Sequence, residues 1–180
     1  RWIQYGAFCP QMRSHGTDFP REPWRFGEDG TWAYDAIVKM INLRYRFMPY
    51  IYSAANKVTT EHYTMMRGMA MDFQDDVMVY DIDDQYMFGP AIMVSPVVQE
   101  KVNHRNIYLP EGSDWYNFWD GNYLTGGQTI VEQTPIDIIP LYVKSGSILP
   151  LGPDVQYATG KTGPIEIRIF EGSDGEFELY

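Results

Sequence analysis

The sequence holds a single cysteine, Cys9, in 180 residues. An internal disulfide framework is therefore excluded, and with only His15 near it Cys9 is a poor prospect as a catalytic thiol. No apolar run approaches the ~18 residues that a membrane-spanning helix needs. Positive charge is scarce: 14 Lys and Arg stand against 24 Asp and Glu, for a formal net charge of −10. A phosphate backbone would be repelled by that balance, and no basic patch with interleaved aromatics offsets it, so nucleic acid is not expected as a partner. The chain also lacks H-E-x-x-H, C-x-x-C, G-x-G-x-x-G and P-loop patterns, and its Ser173-Asp174-Gly175 turn has too few oxygen ligands for calcium. No cofactor and no metal is implied. His62 and His104 stand alone in polar, loop-like surroundings.

Aromatics, by contrast, are plentiful, with 14 Tyr, 9 Phe and 5 Trp. Core filling accounts for most of them; a few are suited to line a sugar site, where flat rings stack on C–H faces. The densest chemistry lies in Arg1 to Gly27, RWIQYGAFCPQMRSHGTDFPREPWRFG, which follows neither a helical nor a strand period. Arg13, His15, Asp18, Arg21 and Glu22 crowd together there among Gly16, Pro20 and Pro23. Long loops of this composition, held by a scaffold, tend to carry function.

Beyond the loop, Trp32 to about Val58 shows a helical pattern, with Ile37, Met40, Ile41, Phe47, Met48, Ile51 and Ala55 on or near one face. Pro49 must kink or split that helix, because it lacks a donor and crowds the preceding turn. Met65 to Phe73 roughly alternates and predicts a strand. From about Tyr86 onward short apolar runs recur between Gly, Pro, Asn and Asp, as expected of an antiparallel sandwich, with an acidic connector near residues 76–85. IEIRIF at 165–170, the EGSDGE turn and FELY predict a final hairpin. The abrupt opening and the stop inside that hairpin read as a piece of something larger.

Several segments closely resemble glycoside hydrolase family 31, the α-glucosidase and α-xylosidase family. They are Arg1-Trp2, Gln4, Gly6-Ala7-Phe8, Pro10, Arg13, His15-Gly16, Pro20 to Trp24 and Phe26-Gly27, followed by LRYRFMPYIYSAA at 43–55 and MMRGMAMDF at 65–73. Collinear with these come QYMFGP at 85–90, SPVV at 95–98, YLPEGSDWYNFWDG at 108–121, GGQ at 126–128 and IPLYVKSGSILPLGP at 139–153. The resemblance implies an α/β plus all-β chain: the C-terminal part of a (β/α)8 TIM barrel, then an antiparallel β-sandwich, then the start of a second β domain. Residues 1–76 would end the barrel, 77–158 form the sandwich and 159–180 open the distal domain. Within the barrel part, the segment around Tyr5–Phe8 would end the seventh strand, 9–31 be its loop, 32–58 the following helices and 63–73 the eighth strand.

His15 would then follow a barrel strand at the face where such barrels carry their active sites. In the family the histidine of this motif hydrogen-bonds hydroxyls of the sugar at the cleavage point, a role an imidazole suits. Arg13, two residues away, would either contact sugar hydroxyls or pair with Asp18, Glu22 or Glu28. Phe8 and Trp24 are candidates for an apolar sugar wall, with core packing as their default, and Arg21-Glu22 would brace the loop. Asp18 and Glu22 are near enough in sequence to be compared with the carboxyl pair of a retaining glycosidase, roughly 5–5.5 Å apart. The family's nucleophile and acid/base are aspartates on earlier strands, however, so neither is expected in this chain, and Asp72 reads as structural. The expected partner is an oligosaccharide or glycoside, and α-xylosidase is favoured over α-glucosidase. The alternatives are a non-catalytic carbohydrate-binding or structural β-sandwich module, and a degenerate hydrolase-like protein. Composition assigns neither a compartment nor an oligomeric state.

Overall fold

The computed structural model describes residues 1–159 and 163–180. Its first regular element is a short helix, α1 (Trp2–Ala7). The expected seventh-strand end at Tyr5–Phe8 is thus replaced by a helical turn, closed by Tyr5 N–H on Arg1 O at 3.1 Å and Phe8 N–H on Tyr5 O at 3.0 Å. A short apolar run does not tell strand from helix by periodicity, and here local bonding settles it. Arg1 clamps the helix start to the segment Thr134–Ile138. Its guanidinium donates to the carbonyls of Thr134 (2.6 Å), Pro135 (3.0 Å) and Ile138 (3.0 Å), while Gln4 donates to Ile136 O at 2.8 Å.

Two longer helices follow, α2 (Trp32–Arg46) and α3 (Met48–Thr60). Pro49 splits the predicted helix where it must: it occupies the first turn of α3, the position at which its missing donor costs nothing. Asp35 in the first turn of α2 and Arg44 and Arg46 in its last match the helix dipole. The face that α2 buries runs through Ala36, Met40 and Leu43 to Phe47. This is rotated from the expected stripe, because Ile37 and Ile41 are only half-buried and line a surface cleft instead.

The predicted strand of 63–73 contracts to β1 (Met66–Gly68), followed by a helical turn, α4 (Met69–Asp72). An ion pair explains the change. Arg67 grips Asp72 with two parallel bonds, Nη2 to Oδ1 at 2.8 Å and Nε to Oδ2 at 2.9 Å. An extended chain would hold these residues about 16 Å apart; the helical turn brings them together. Arg67 also lies over the Tyr63 ring at 4.7 Å and donates to Thr64 O at 2.9 Å. Asp72 is thereby engaged by Arg67.

The remaining strands are β2 (Tyr86–Phe88), β3 (Ile92–Val94), β4 (His104–Leu109), β5 (Trp115–Asn117), β6 (Tyr123–Leu124), β7 (Gln128–Gln133), β8 (Leu141–Lys144), β9 (Ile148–Leu151) and β10 (Glu166–Ile169). A six-stranded sheet runs β1-β2-β3-β8-β5-β6, while β4 pairs with β7 and β9 with β10. Every ladder among the described residues is antiparallel. The large sheet crosses the expected division at 76/77, since β1 precedes it and pairs with β2.

Strand alternation gives this sheet two buried faces. Tyr86, Phe88, Ile92, Val94, Leu141 and Val143 join one core with Met40, Phe47, Tyr50 and Ile51 of the helical region. Their neighbours Met87, Met93 and Tyr142 join Trp115 in a second core with Ile107 and Leu109 of β4 and Ile130 of β7. The result is helices, sheet and second sheet in layers. Tyr50 ties the helical layer down: its buried hydroxyl donates to Phe88 O at 2.8 Å and accepts from Ala91 N–H at 3.0 Å. Gly89 (φ +64°) must be glycine there, because a Cβ would lie 2.3 Å from that hydroxyl.

The connector after residue 76 is pinned rather than loose. Asp76, only 7% exposed, accepts from Met78 N–H (3.0 Å), Tyr108 hydroxyl (2.8 Å) and Glu111 N–H (2.8 Å). At the other end, β10 pairs with β9, Phe177 stacks on Tyr50 at 5.6 Å, and Tyr180 N–H reaches Ser53 Oγ at 3.0 Å. The predicted return strand at FELY is not formed, its place being taken by these contacts with α3. Residues 160–162, just past the expected boundary at 158/159, lie outside the described residues.

Candidate functional site

The loop from Cys9 to Thr31 begins at a root of buried chain and fixed backbone. Phe8 is 0% exposed, its ring set edge-on between Phe47 (5.6 Å) and Phe88 (5.9 Å). That corrects the expectation for Phe8 as a sugar wall: an apolar ring covered on both sides by rings meets no ligand, and it serves as the loop's anchor. Arg44 of α2 donates to Ala7 O at 2.7 Å, Cys9 O at 2.8 Å and Pro10 O at 3.0 Å. Tyr86 of β2 donates its hydroxyl to Phe8 O at 2.9 Å. Burial pushes the Cys9 thiol up, against the opposing pulls of Tyr5 and Arg44, so it is a neutral thiol at pH 7.

Past Pro10 the chain has no regular structure until a single 3-10 turn at Pro23–Arg25. Ser14 Oγ donates to Arg21 O at 2.7 Å and draws the two limbs together. Gly16 permits the fold-back, since a Cβ there would sit 2.0 Å from Phe19 O. Thr31 Oγ1 on Glu28 O (2.7 Å) and Gly30 N–H on Asp35 (3.0 Å) close the loop onto α2. The ion pairs among the described residues include none from Arg13 or Arg21. The expected Arg–carboxylate brace is thus replaced by backbone hydrogen bonds, which need no long side chain to be immobilised.

Arg13 and His15 are both exposed and both line a cleft of about 610 Å3. Trp2, Phe26 and Trp32 also line it, with Trp2 83% and Trp32 71% exposed. Trp24 is exposed but does not reach this cleft. Asp18 and Glu22 line a separate concavity of about 420 Å3 formed by the loop itself. A cleft of about 660 Å3 lies between Tyr5, Tyr86 and Asp83–Gln85, and it is larger but brings none of the sequence-predicted binding residues together. Among the described residues no group of three or more His, Cys, Asp or Glu is placed to hold a metal ion. What the 610 Å3 cleft offers is directional donors from imidazole and guanidinium beside flat apolar rings, a combination suited to a hydroxyl-rich ring. No spacing rule pointed to Arg44 or Tyr86, whose partners lie 34 to 37 and 78 residues away.

Comparison with known proteins assigns the loop-bearing helical layer and the antiparallel sheet to consecutive domains of one family. Residues 1–54 match the family model described as the glycosyl hydrolases family 31 TIM-barrel domain, and residues 62–149 that of the glycosyl hydrolase family 31 C-terminal domain. The chain belongs to glycosyl hydrolase family 31. It is 46% identical to an alpha-xylosidase of Saccharolobus solfataricus over 181 residues, covering 100% of this chain and 24% of that protein. It is 37% identical to an isomaltosyltransferase of Sporosarcina globispora over 173 residues, covering 90% of this chain and 16% of that protein. Among solved structures, a GH31 alpha-xylosidase from Xanthomonas citri superposes with a TM-score of 0.94 at 42% identity, covering 99% of this chain and 20% of the other. The chain thus spans about a quarter or less of the length of these relatives.

Proposed function

We propose that this chain forms one side of the sugar pocket of a retaining, exo-acting α-glycosidase that removes terminal α-linked xylose or glucose from oligosaccharides, with xylose favoured. The observation that carries the reading is the convergence of Arg13 and His15 on one aromatic-rimmed cleft of about 610 Å3. His15 would hydrogen-bond hydroxyls of the sugar at the cleavage point, and Arg13 would hold an outer hydroxyl or the loop. The aspartate nucleophile and the aspartate acid/base would come from outside this chain, flanking the bond as a retaining pair. The lean toward xylose rests on the likeness to two alpha-xylosidases.

What supports this reading over a free-standing sandwich module is the sheet itself. Phe88, Ile92 and Val143 are 0% exposed because the helical layer covers that face. The decisive assay uses the polypeptide carrying this segment together with the two aspartates, on 4-nitrophenyl α-xyloside and α-glucoside. We expect hydrolysis of the xyloside to exceed that of the glucoside, and His15→Ala to lower kcat/KM about a hundredfold, the scale of losing a donor aimed at the reacting group. Full activity in His15→Ala would sink the assignment.

A further inference from the structure

The chain leaving α1 has an unusual run of backbone acceptors. The carbonyls of Ala7, Phe8, Cys9 and Pro10 are all taken by side chains, those of Ala7, Cys9 and Pro10 by Arg44 and that of Phe8 by Tyr86. Backbone acceptors at the end of a helix are ordinarily satisfied by a capping side chain, by water or by the turn itself. Here a guanidinium fork from one direction and a phenol from another fix four consecutive peptide groups while the Phe8 ring is locked in the core. We infer that Arg44 and Tyr86 are a joint pair of positioning residues, which aim the Arg13–His15 segment by gripping the root of its loop. This rests on the sugar-binding reading of His15.

Leverage makes the root matter. His15 lies five residues beyond Pro10, at most about 18 Å of extended chain. A rotation of about 10° at the root then carries the tip through as much as ~3 Å. Misplacing a group at the reacting centre by about 1 Å costs on the order of a hundredfold in rate. Further along, Met12 packs against the same core, whereas Arg13, Ser14 and His15 are exposed and the Ser14–Arg21 bond joins one limb of the loop to the other. The pair also spans the two family-model regions, Arg44 within 1–54 and Tyr86 within 62–149. The antiparallel sheet therefore does more than support the helices, because it supplies one of the two grips on the sugar-facing loop.

The test uses Arg44→Lys, which keeps the charge and loses the planar fork, and Tyr86→Phe, which loses one hydroxyl and keeps the ring. Both are made in the polypeptide that includes the catalytic aspartates, each in the wild-type and the His15→Ala background. We expect each to lower kcat/KM on the aryl α-xyloside about tenfold to hundredfold with Tm nearly unchanged, and to cost less than about threefold once His15 is gone, because coupled residues are not additive. Losses of undiminished size in the His15→Ala background, or no loss in the wild-type background, would overturn the proposal. A second readout needs no activity: trypsin should cut after Arg13 and Arg21 faster, by about tenfold, in either variant at unchanged Tm. An unchanged cleavage rate overturns the positioning role. If His15→Ala alone leaves activity intact, the sugar-binding reading fails, and the cleavage rates still decide whether the pair orders the loop.

Discussion

The six-stranded sheet and the loop of residues 9–31 are held by opposite means. Successive residues of β2, β3 and β8 are buried to either side, so the sheet is stabilised on both faces by apolar contact. The loop buries no side chain fully and keeps its shape through hydrogen bonds to backbone, from Arg44 at its root, Ser14 across its middle and Thr31 at its end. Burial contributes in proportion to area and tolerates small shifts; a hydrogen bond contributes only at its own geometry. Substitutions that truncate the sheet's apolar side chains should therefore show up as stability, and substitutions in the loop or among the hydrogen bonds at its root as activity.

The largest effect that separates the two belongs to Trp115. It is 0% exposed, packs against Phe73 at 5.7 Å, and donates its indole N–H to Pro110 O at 3.2 Å. Trp115→Ala opens a cavity at the heart of the second core and leaves that carbonyl without its donor. Urea unfolding should register a loss of about 3–5 kcal/mol. A loss below about 1 kcal/mol would mean the sheet-to-sheet core is not what holds the β region together.

The same contrast explains what could be read beforehand. Pro49 announced the break between α2 and α3 because its effect is local and covalent. The recurrent apolar runs after Tyr86 announced an antiparallel β region, since a period of two survives without knowledge of partners. Tyr5–Phe8 misled because a short apolar run fits helix and strand alike, and Met65–Phe73 because the Arg67–Asp72 pair overrides its alternation. His15 and Arg13 were singled out by a motif whose residues are adjacent. Arg44 and Tyr86 lie within motifs that assign them no role, because their contacts with the loop root exist only after the chain has folded.

A smaller effect sharpens the comparison through pH. Burial tends to raise the Asp76 carboxyl, but the Glu111 N–H, the Tyr108 hydroxyl and the Met78 N–H outweigh it and hold it below its ordinary value. The Tyr108 phenol is pushed up to about 12, first by burial and then by that carboxylate. A carboxyl depressed in the folded state contributes stability that is fully present above its unfolded pKa of about 3.9 and is lost as pH falls through the folded value. Unfolding free energy should therefore decline below about pH 4, and Asp76→Asn should flatten that decline while costing about 1–2 kcal/mol at pH 7. An acid profile identical in the variant would remove Asp76 from the linkage. None of this should touch the cleft lined by Arg13 and His15, which Asp76 does not line.

The smallest stability effect is the most telling one. His15 is exposed and makes no hydrogen bond among those that hold the loop, so His15→Ala should shift unfolding free energy by no more than about 0.5 kcal/mol. Residues that hold a fold together pay for their removal in stability, whereas one kept for a ligand is free to be lost from the empty protein. A loss of about 2 kcal/mol or more in chemical denaturation would place His15 among the groups that build the loop, and the division between a buried scaffold and an exposed, hydrogen-bonded site would no longer hold at the residue where it matters most.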